Sequence, residues 1–221
     1  MNIEGSIALV TGANRGLGRH FAQQLLERGA SKVYATARRP ETIDLEGVHA
    51  LRLDVTDPAS IEAAARVATD VTLLINNAGV SLGQDLVTGD LAQLRQEMET
   101  NFFGTLNVIR AFAPGLEGGA ILNVLSRLSF LSFVGANGYA AAKAAAWSLT
   151  NGVRLELPGT LVTGLALSAT DTDMMAGWDI PKNDPADVVR QALDGLEEGA
   201  LEVLADEDTR EARAALGLVM R

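Results

Sequence analysis

Two kinds of apolar pattern alternate along the chain. Short, mainly apolar runs recur at Ile7–Val10, Lys32–Thr36, Val48–Leu53, Val71–Ile75, Ala120–Leu125, Leu161–Leu167 and Leu201–Ala205. The first of them, Ile7–Val10, is wholly apolar with Thr and Gly following at once, which suits a strand covered on both faces. Between them the apolar spacing becomes helical. Leu17, Phe21, Leu25 and Leu26 recur at three and four, and Asp57-Pro58 opens a helix to about Ala68 with Asp57 as N-cap. The longest helical pattern runs from Leu91 to Leu116, with Leu91, Leu94, Met98, Phe102, Leu106, Ile109 and Ala113 on one side and Asn101 interrupting its middle. Further helices are predicted from Tyr139 to about Leu157, from Asp184-Pro185 to about Glu198, and from Thr209 to Val219. The last follows an acidic lead-in, Asp206-Glu207-Asp208, that suits a helix N-terminus. Strands alternating with helices predict right-handed βαβ units. The expected architecture is α/β, a Rossmann-type doubly wound seven-stranded parallel sheet with helices on both faces. No linker, repeat or low-complexity segment divides residues 1–221, so one dinucleotide-binding catalytic domain is expected.

Composition narrows the function classes. Apolar residues make up 48% of the 221, enough for one sizeable core. A net charge of −10 argues against a nucleic-acid surface and makes basic clusters more informative. There is no cysteine, and the only histidines, His20 and His49, belong to no ligand-spaced cluster, so no metal site is expected. The N-terminus has no basic segment followed by an apolar stretch and cleavage site, and no apolar run approaches the roughly 18–20 residues of a membrane span. A cytoplasmic protein with no membrane partner is the expectation.

The candidate chemistry lies at the ends of the strands. Thr11-Gly12-Ala13-Asn14-Arg15-Gly16-Leu17-Gly18 joins the first strand to the first helix, where a dinucleotide pyrophosphate binds on backbone N–H groups. Gly12 can make the tight turn, Gly16 admits phosphate, and Gly18 lets helix and strand pack closely. The spacing is G-x-x-x-G-x-G, which a structural turn would also satisfy. Arg38 follows the second strand, where a dinucleotide fold presents the adenosine ribose. Its planar fork suits a 2′-phosphate, and Arg15 could reach the same group; otherwise both are solvated surface charges. Asp54-Val55 lies either at the adenine edge or in a simple turn. Asn76-Asn77-Ala78-Gly79 leaves backbone free beside a cofactor, as a plain turn would. Asn101 is either a core defect or a holder of water or a lysine. Ser126 ends the fifth strand. Tyr139 and Lys143 are four residues apart and share a helix face, so an ammonium beside a phenol could lower its pKa and make a general acid/base.

Taken together, Thr11-Gly12-x-x-x-Gly16-x-Gly18, Asn76-Asn77-Ala78-Gly79, Asn101, Ser126 and Tyr139-x-x-x-Lys143 resemble the classical short-chain dehydrogenase/reductases, with Ser126 thirteen positions before Tyr139 as is typical there. The resemblance spans nearly the whole chain. It implies that Tyr139 exchanges a proton with a ketone or alcohol oxygen, that Lys143 lowers the phenol's pKa and holds the nicotinamide ribose, that Ser126 orients the substrate oxygen, and that Asn101 supports a water-linked relay to Lys143. It implies cofactor contacts from Gly12, Asn14, Arg15, Gly16, Leu17, Gly18, Arg38, Asp54, Val55, Asn77, Ala78, Gly79, Tyr139, Lys143 and Thr172. Arg15 and Arg38 imply NADP(H) in preference to NAD(H). A homodimer or homotetramer is implied, joined through the helices around Asn101 and after Tyr139.

The chain departs from the family pattern in places. Leu167-Ser168 stands where many relatives carry Pro-Gly, Leu125 replaces a frequent serine, and Arg127 is bulky for its position. A short stretch after Met174 suggests a small lid over a pocket made apolar by Phe130, Phe133, Val134, Met174, Met175 and Trp178, each of which could instead be core or interface. The function expected is an NADP(H)-dependent carbonyl reductase or alcohol dehydrogenase acting on apolar small molecules. A cofactor-binding regulator without turnover is the alternative, though it would have no need of the acid/base pair. The same fold could also run an epimerisation or dehydration.

Overall fold

A computed structural model describes residues 1–216. Its seven parallel strands are β1 (Ile7–Thr11), β2 (Lys32–Ala37), β3 (His49–Arg52), β4 (Leu73–Asn76), β5 (Ala120–Val124), β6 (Leu161–Ala166) and β7 (Glu202–Leu204), in the spatial order β3-β2-β1-β4-β5-β6-β7. The five inner strands pair on both sides, as Leu9 of β1 does with Tyr34 of β2 and Leu74 of β4, whereas β3 and β7 are the edges and β3 is mostly exposed. Seven helices connect them: α1 (Gly16–Glu27), α2 (Pro58–Val67), α3 (Leu91–Met98), α4 (Thr105–Phe112), α5 (Asn137–Glu156), α6 (Pro185–Glu197) and α7 (Glu207–Ala215).

Successive strand residues point to opposite faces, so each strand feeds two cores. Ala8, Val10, Leu73, Ile75, Ala120 and Leu122 meet Phe21 and Leu25 of α1 and Val188, Val189 and Leu193 of α6. Leu9, Leu74, Ile121 and Val162 meet Ile61 of α2, Val108, Ile109 and Phe112 of α4 and Val153 of α5. Chain order reverses between β1 and β4, and the crevice beyond the carboxyl ends of those strands is where an open α/β sheet receives a ligand.

Aspartates start most of the helices. Asp57 accepts from Ala59 N, Asp90 from Ala92 N and Gln93 N, Asp184 from Ala186 N, and Asp206 from Thr209 N. The N-terminus of α1, which faces the crevice, has no side-chain cap.

The stretch Leu91–Leu116 is not one helix. A π-helical turn, Glu99–Gly104, separates α3 from α4, and a 3-10 turn, Ala113–Gly115, follows α4. Asn101 causes the break. Its Nδ2 donates to the Glu97 carbonyl four residues back at 2.8 Å, the acceptor that its own backbone N–H would use in an α-helix. Thr105 Oγ1 likewise takes the Asn101 carbonyl at 3.1 Å. The ladder widens by one residue, and the buried face of α4 becomes Val108, Ile109 and Phe112 rather than Leu106 and Ala113. Two boundaries also differ. α5 begins at Asn137, a half-turn before Tyr139, and α7 begins at Glu207, one residue past its cap. The expected end of the last helix, at Val219, lies outside the described residues.

Candidate active site

The crevice is a cleft of about 950 Å³. One wall is the loop between β1 and α1. Gly12 and Gly16 have φ of +66° and +52°, a region that favours glycine. Gly18 is required by proximity instead: a Cβ there would stand 2.2 Å from the Gly12 carbonyl oxygen and 2.6 Å from Asn77 Nδ2. Asn77 holds this loop from the end of β4, donating through Nδ2 to Thr11 O at 2.9 Å and Gly12 O at 3.2 Å. Thr11 returns the contact, its Oγ1 accepting from Asn77 N and Ala78 N. Both residues were in view in the sequence, but their mutual clamp was not, since 66 positions separate them.

Gly12, Asn14, Arg15, Gly16, Leu17, Arg38, Asp54, Val55, Asn77, Ala78, Gly79, Ser126, Tyr139, Lys143 and Thr172 all line the cleft. Gly18 is buried behind the loop, and Asn101 behind Gly79. Arg38 is exposed at the cleft and makes no ion pair among the described residues. Arg15 pairs with Asp173 at 3.0 Å, and Thr172 stands over Gly16, so the segment after β6 is latched across the glycine loop. Asp54 turns the chain by accepting from Thr56 N and Oγ1 while still lining the cleft.

At the cleft floor, β5 delivers Ser126 and α5 delivers Tyr139 and Lys143. Ser126 caps a 3-10 turn, Arg127–Ser129: its Oγ accepts from Leu128 N at 3.1 Å, which leaves the hydroxyl proton to donate. The Tyr139 phenol is pushed up to about 12, first by burial; the Ser126 hydroxyl pulls it back, and the Glu97 carboxylate pushes it further up. Lys143, expected to lower it, is not among the groups that act on it in this arrangement. Lys143 Nζ lies 5.7 Å from the Tyr139 ring centroid and donates instead to the Val124 carbonyl at 2.8 Å. Burial brings the Lys143 ammonium down to about 8.

Asn101 is almost wholly buried. It donates to Val80 O and Glu97 O, both at 2.8 Å, and accepts from Val80 N at 3.2 Å. Both amide hydrogens are thus spent on backbone. Its Oδ1 borders the site at Gly79, where an added Cβ would stand 2.7 Å from Oδ1 and 3.6 Å from Lys143 Nζ.

The rim is apolar, but its members differ from those expected. Phe133, Met174, Met175 and Trp178 line the cleft, joined by Leu128, Leu131 and Ile180. Phe130 does not; it is buried, edge-on to Trp147, with its ring 5.6 Å away and the Arg213 guanidinium over both rings. Val134 points to solvent. The Phe133 and Trp178 rings meet edge to face at 6.4 Å.

Leu167-Ser168 has a structural counterpart that sequence reading missed. Leu167 O accepts from Arg127 N, and Asp206 Oδ2 accepts from Ser168 N at 2.8 Å and Asn183 Nδ2 at 3.0 Å. Burial works against the Asp206 charge, but the hydrogen bonds from Ser168 and Thr209 outweigh it and hold the carboxyl below its ordinary 3.8. Asp206→Ala is expected to lower the folding free energy by about 2 kcal/mol, through loss of a cap and of the loop anchor. A carboxyl depressed in the folded state stabilises fully above its unfolded pKa, and that contribution fades as pH falls through the folded value. The melting-temperature gap to the parent should therefore narrow below about pH 4.

Among the described residues, no helix is long and apolar enough to cross a membrane, and no group of His, Cys, Asp and Glu is placed to hold a metal.

Comparison with known proteins points one way. The sequence profile of the family described as "short chain dehydrogenase" matches residues 6–182. The chain is 35% identical over 189 residues to the 3-oxoacyl-[acyl-carrier-protein] reductase FabG of Vibrio cholerae, covering 79% of this chain and 77% of that one. It superposes with TM-score 0.95, at 41% identity, on a short chain dehydrogenase from Burkholderia cenocepacia in complex with NADP, covering 98% and 94% of the two chains. A short-chain dehydrogenase from Sphingobium yanoikuyae in complex with NADPH superposes with TM-score 0.82 at 27% identity, covering 97% and 95%.

Proposed function

Because the chain belongs to the short-chain dehydrogenase/reductase family and is therefore an oxidoreductase, we propose that it transfers hydride between NADP(H) and an apolar ketone or secondary alcohol. The observation that carries this reading is the convergence of Ser126, Tyr139 and Lys143 on one cleft floor beside the glycine loop.

The cleft fits a dinucleotide. The uncapped N-terminus of α1 and the backbone freed by Gly12 and Gly16 offer N–H groups to a pyrophosphate. Arg38, exposed and without an ion pair among the described residues, can meet a 2′-phosphate, whereas Arg15 would first have to leave Asp173. Asp54 and Val55 would face the adenine, Asn77, Ala78 and Gly79 the central part of the cofactor, and Thr172 and Lys143 its nicotinamide end. When bound, the nicotinamide supplies or accepts the hydride.

The chain supplies the rest. Ser126 donates a hydrogen bond to the substrate oxygen and orients it, keeping its own proton. Tyr139, protonated at neutral pH, gives its proton to that oxygen as the carbonyl becomes an alcohol, or takes it in reverse. Lys143 brings a positive charge that stabilises the phenolate once it turns from Val124 toward the cofactor ribose. A water between Asn101 Oδ1 and Lys143 Nζ would pass the proton onward. The rim of Phe133, Met174, Met175, Trp178 and Ile180 selects apolar substrates and sheds water. The proposal places the enzyme in the cytoplasm as a single catalytic domain in a homodimer or homotetramer. Leu91 and Phe103 are exposed around the π turn, as a helix-to-helix interface would use them.

The test is loss of reduced-nicotinamide absorbance with NADPH and NADH, side by side, over aliphatic, aryl and steroid-like ketones. Ketone-dependent oxidation of NADPH supports the reading. Tight binding with no turnover on any ketone would transfer it to a redox-responsive regulator. Arg38→Ala should weaken NADPH on the order of ten- to a hundredfold, the worth of a charge-assisted hydrogen bond, and NADH far less. Equal losses for the two would remove the 2′-phosphate from Arg38.

A further inference from the structure

Between β6 and α6 the chain forms a strap, 168–183, most of whose first half lines the cleft. Backbone sews its base together: Asn183 N donates to Ala169 O at 2.8 Å and Asp171 N to Asn183 O at 3.0 Å, beside the Asp206 anchor. Its front meets the glycine loop differently. Thr172 stands over Gly16, and Arg15 Nη1 donates to Asp173 Oδ2 at 3.0 Å. Both side chains of that pair are about two-thirds exposed, at 66% and 67%. Asp171 of the same strap has a partner within it, Lys182 at 3.8 Å.

Asp173 is the acid to explain. It lines a cleft suited to a polyanion, where a carboxylate is the wrong charge. The fold does not depend on its side chain, which caps no helix and makes no hydrogen bond among the described residues except the one from Arg15. Arg15 stands at the N-terminus of α1, where no side chain caps the helix. A guanidinium pairs with a carboxylate and a phosphate through the same donors, so a residue holding one is not open to the other. The two cations at this end of the cleft therefore differ: Arg38 has no ion pair among the described residues, and Arg15 is occupied.

We propose that Asp173 is a specificity-determining residue of the cofactor site: its carboxylate holds Arg15 in the place of a phosphate, so that a 2′-phosphate must displace it before Arg15 can bind. The proposal rests on the NADP(H) reading above. Arg15 then exchanges one anion for another and adds less to the preference for NADP(H) than Arg38 does. A cofactor with a 2′-phosphate frees the front of the strap, whereas one without it leaves the strap latched. The base stays sewn in either case, so the part that moves is the turn Asp173–Met175, which carries Met174 and Met175 of the apolar rim.

Asp173→Asn keeps the size of the side chain and removes its charge, at an exposed position where folding tolerates the change. Titrating NADPH and NADH against tryptophan fluorescence reads affinity without turnover. The ratio of NADPH to NADH affinity should rise about threefold, the worth of an exposed ion pair, and the rise should shrink at high salt. Relief of repulsion from the pyrophosphate is common to both cofactors and cancels in the ratio. In an Arg15→Ala background Asp173→Asn should leave the ratio where it was, because the two residues act as a pair. An unchanged ratio in the first background overturns the proposal, as does a rise that persists without Arg15. A loss of affinity for both cofactors also overturns it, and would make the pair a clasp closed over the bound dinucleotide. Arg38→Ala separates this failure from that of the NADP(H) reading. With the reading intact it still weakens NADPH more than NADH, whatever Asp173 does; equal losses there withdraw the reading and this proposal together.

Discussion

Replacing Tyr139 with Phe is expected to cut turnover by about three orders of magnitude while leaving cofactor affinity within about threefold. The loss is within the range of a positioned general acid, on the order of 4 kcal/mol of barrier. Affinity survives because the ring stays and only the hydroxyl goes. That hydroxyl sits beside Ser126, above the buried ammonium of Lys143, at a floor shared by no other phenol in the cleft. With Phe at this position, Ser126 can still orient a carbonyl oxygen but nothing in contact with it gives up a proton. Steady-state rates with NADPH, alongside cofactor titration by fluorescence, separate the two quantities. Full activity in the variant would take Tyr139 out of the mechanism. Equal loss of binding and turnover would make it a packing residue.

Gly18→Ala should be the most damaging single-methyl change in the cofactor wall. The new Cβ meets backbone, Gly12 O at 2.2 Å and Gly12 C at 2.8 Å, and the Asn77 amide that clamps the same loop at 2.6 Å. A flexible side chain could step aside; a carbonyl at the end of β1 cannot do so without moving the turn that carries Gly12 and Gly16. Overpacking of this kind costs about 3 kcal/mol, or roughly 6–12 °C of melting temperature in a chain of this size. Because the displaced turn is the proposed pyrophosphate cradle, cofactor affinity should also fall at least about tenfold. Gly16→Ala is the contrast. Its nearest neighbour is Thr172 Cγ2 at 3.4 Å, so its cost is mainly the strain of a positive φ, about 1 kcal/mol. Thermal unfolding of the two variants side by side decides the matter: similar melting temperatures would show that the close approach at Gly18 is not what the turn depends on.

How much of this was legible beforehand depends on the range of each interaction. The strands were readable because each is a short, mainly apolar run too brief for a helix, and the parallel sheet followed from their alternation with helices. The glycine loop, Ser126 and the Tyr139–Lys143 pair were readable because each motif is local. Less accessible was whatever depended on partners far along the chain. The clamp between Asn77 and Thr11, the anchoring of Ser168 by Asp206, and the latch from Arg15 to Asp173 join segments that only the folded sheet brings together. Glu97 was overlooked for a different reason. It lies in a polar stretch, Gln96-Glu97, that reads as a solvated helix face, and periodicity carries no sign that one acid there turns inward. Phe130 failed the other way: its place among apolar loop residues suggested the pocket, yet Trp147 and Arg213 enclose it.

The π turn at Glu99–Gly104 fixes more than the position of Asn101. In effect it is one residue inserted into a helix, and one residue is worth about 100° of rotation about the axis. Deleting any single residue there would let the ladder close as an ordinary α-helix. It would also swing Val108, Ile109 and Phe112 about a quarter-turn away from the sheet, or force α3 to rotate Glu97 out from under α5. The length of this segment is therefore under tighter constraint than most of its side chains. Substitutions at exposed sites such as Phe103 can accumulate within it, whereas insertions and deletions cannot, and the phase between the two helices is preserved as a count of residues.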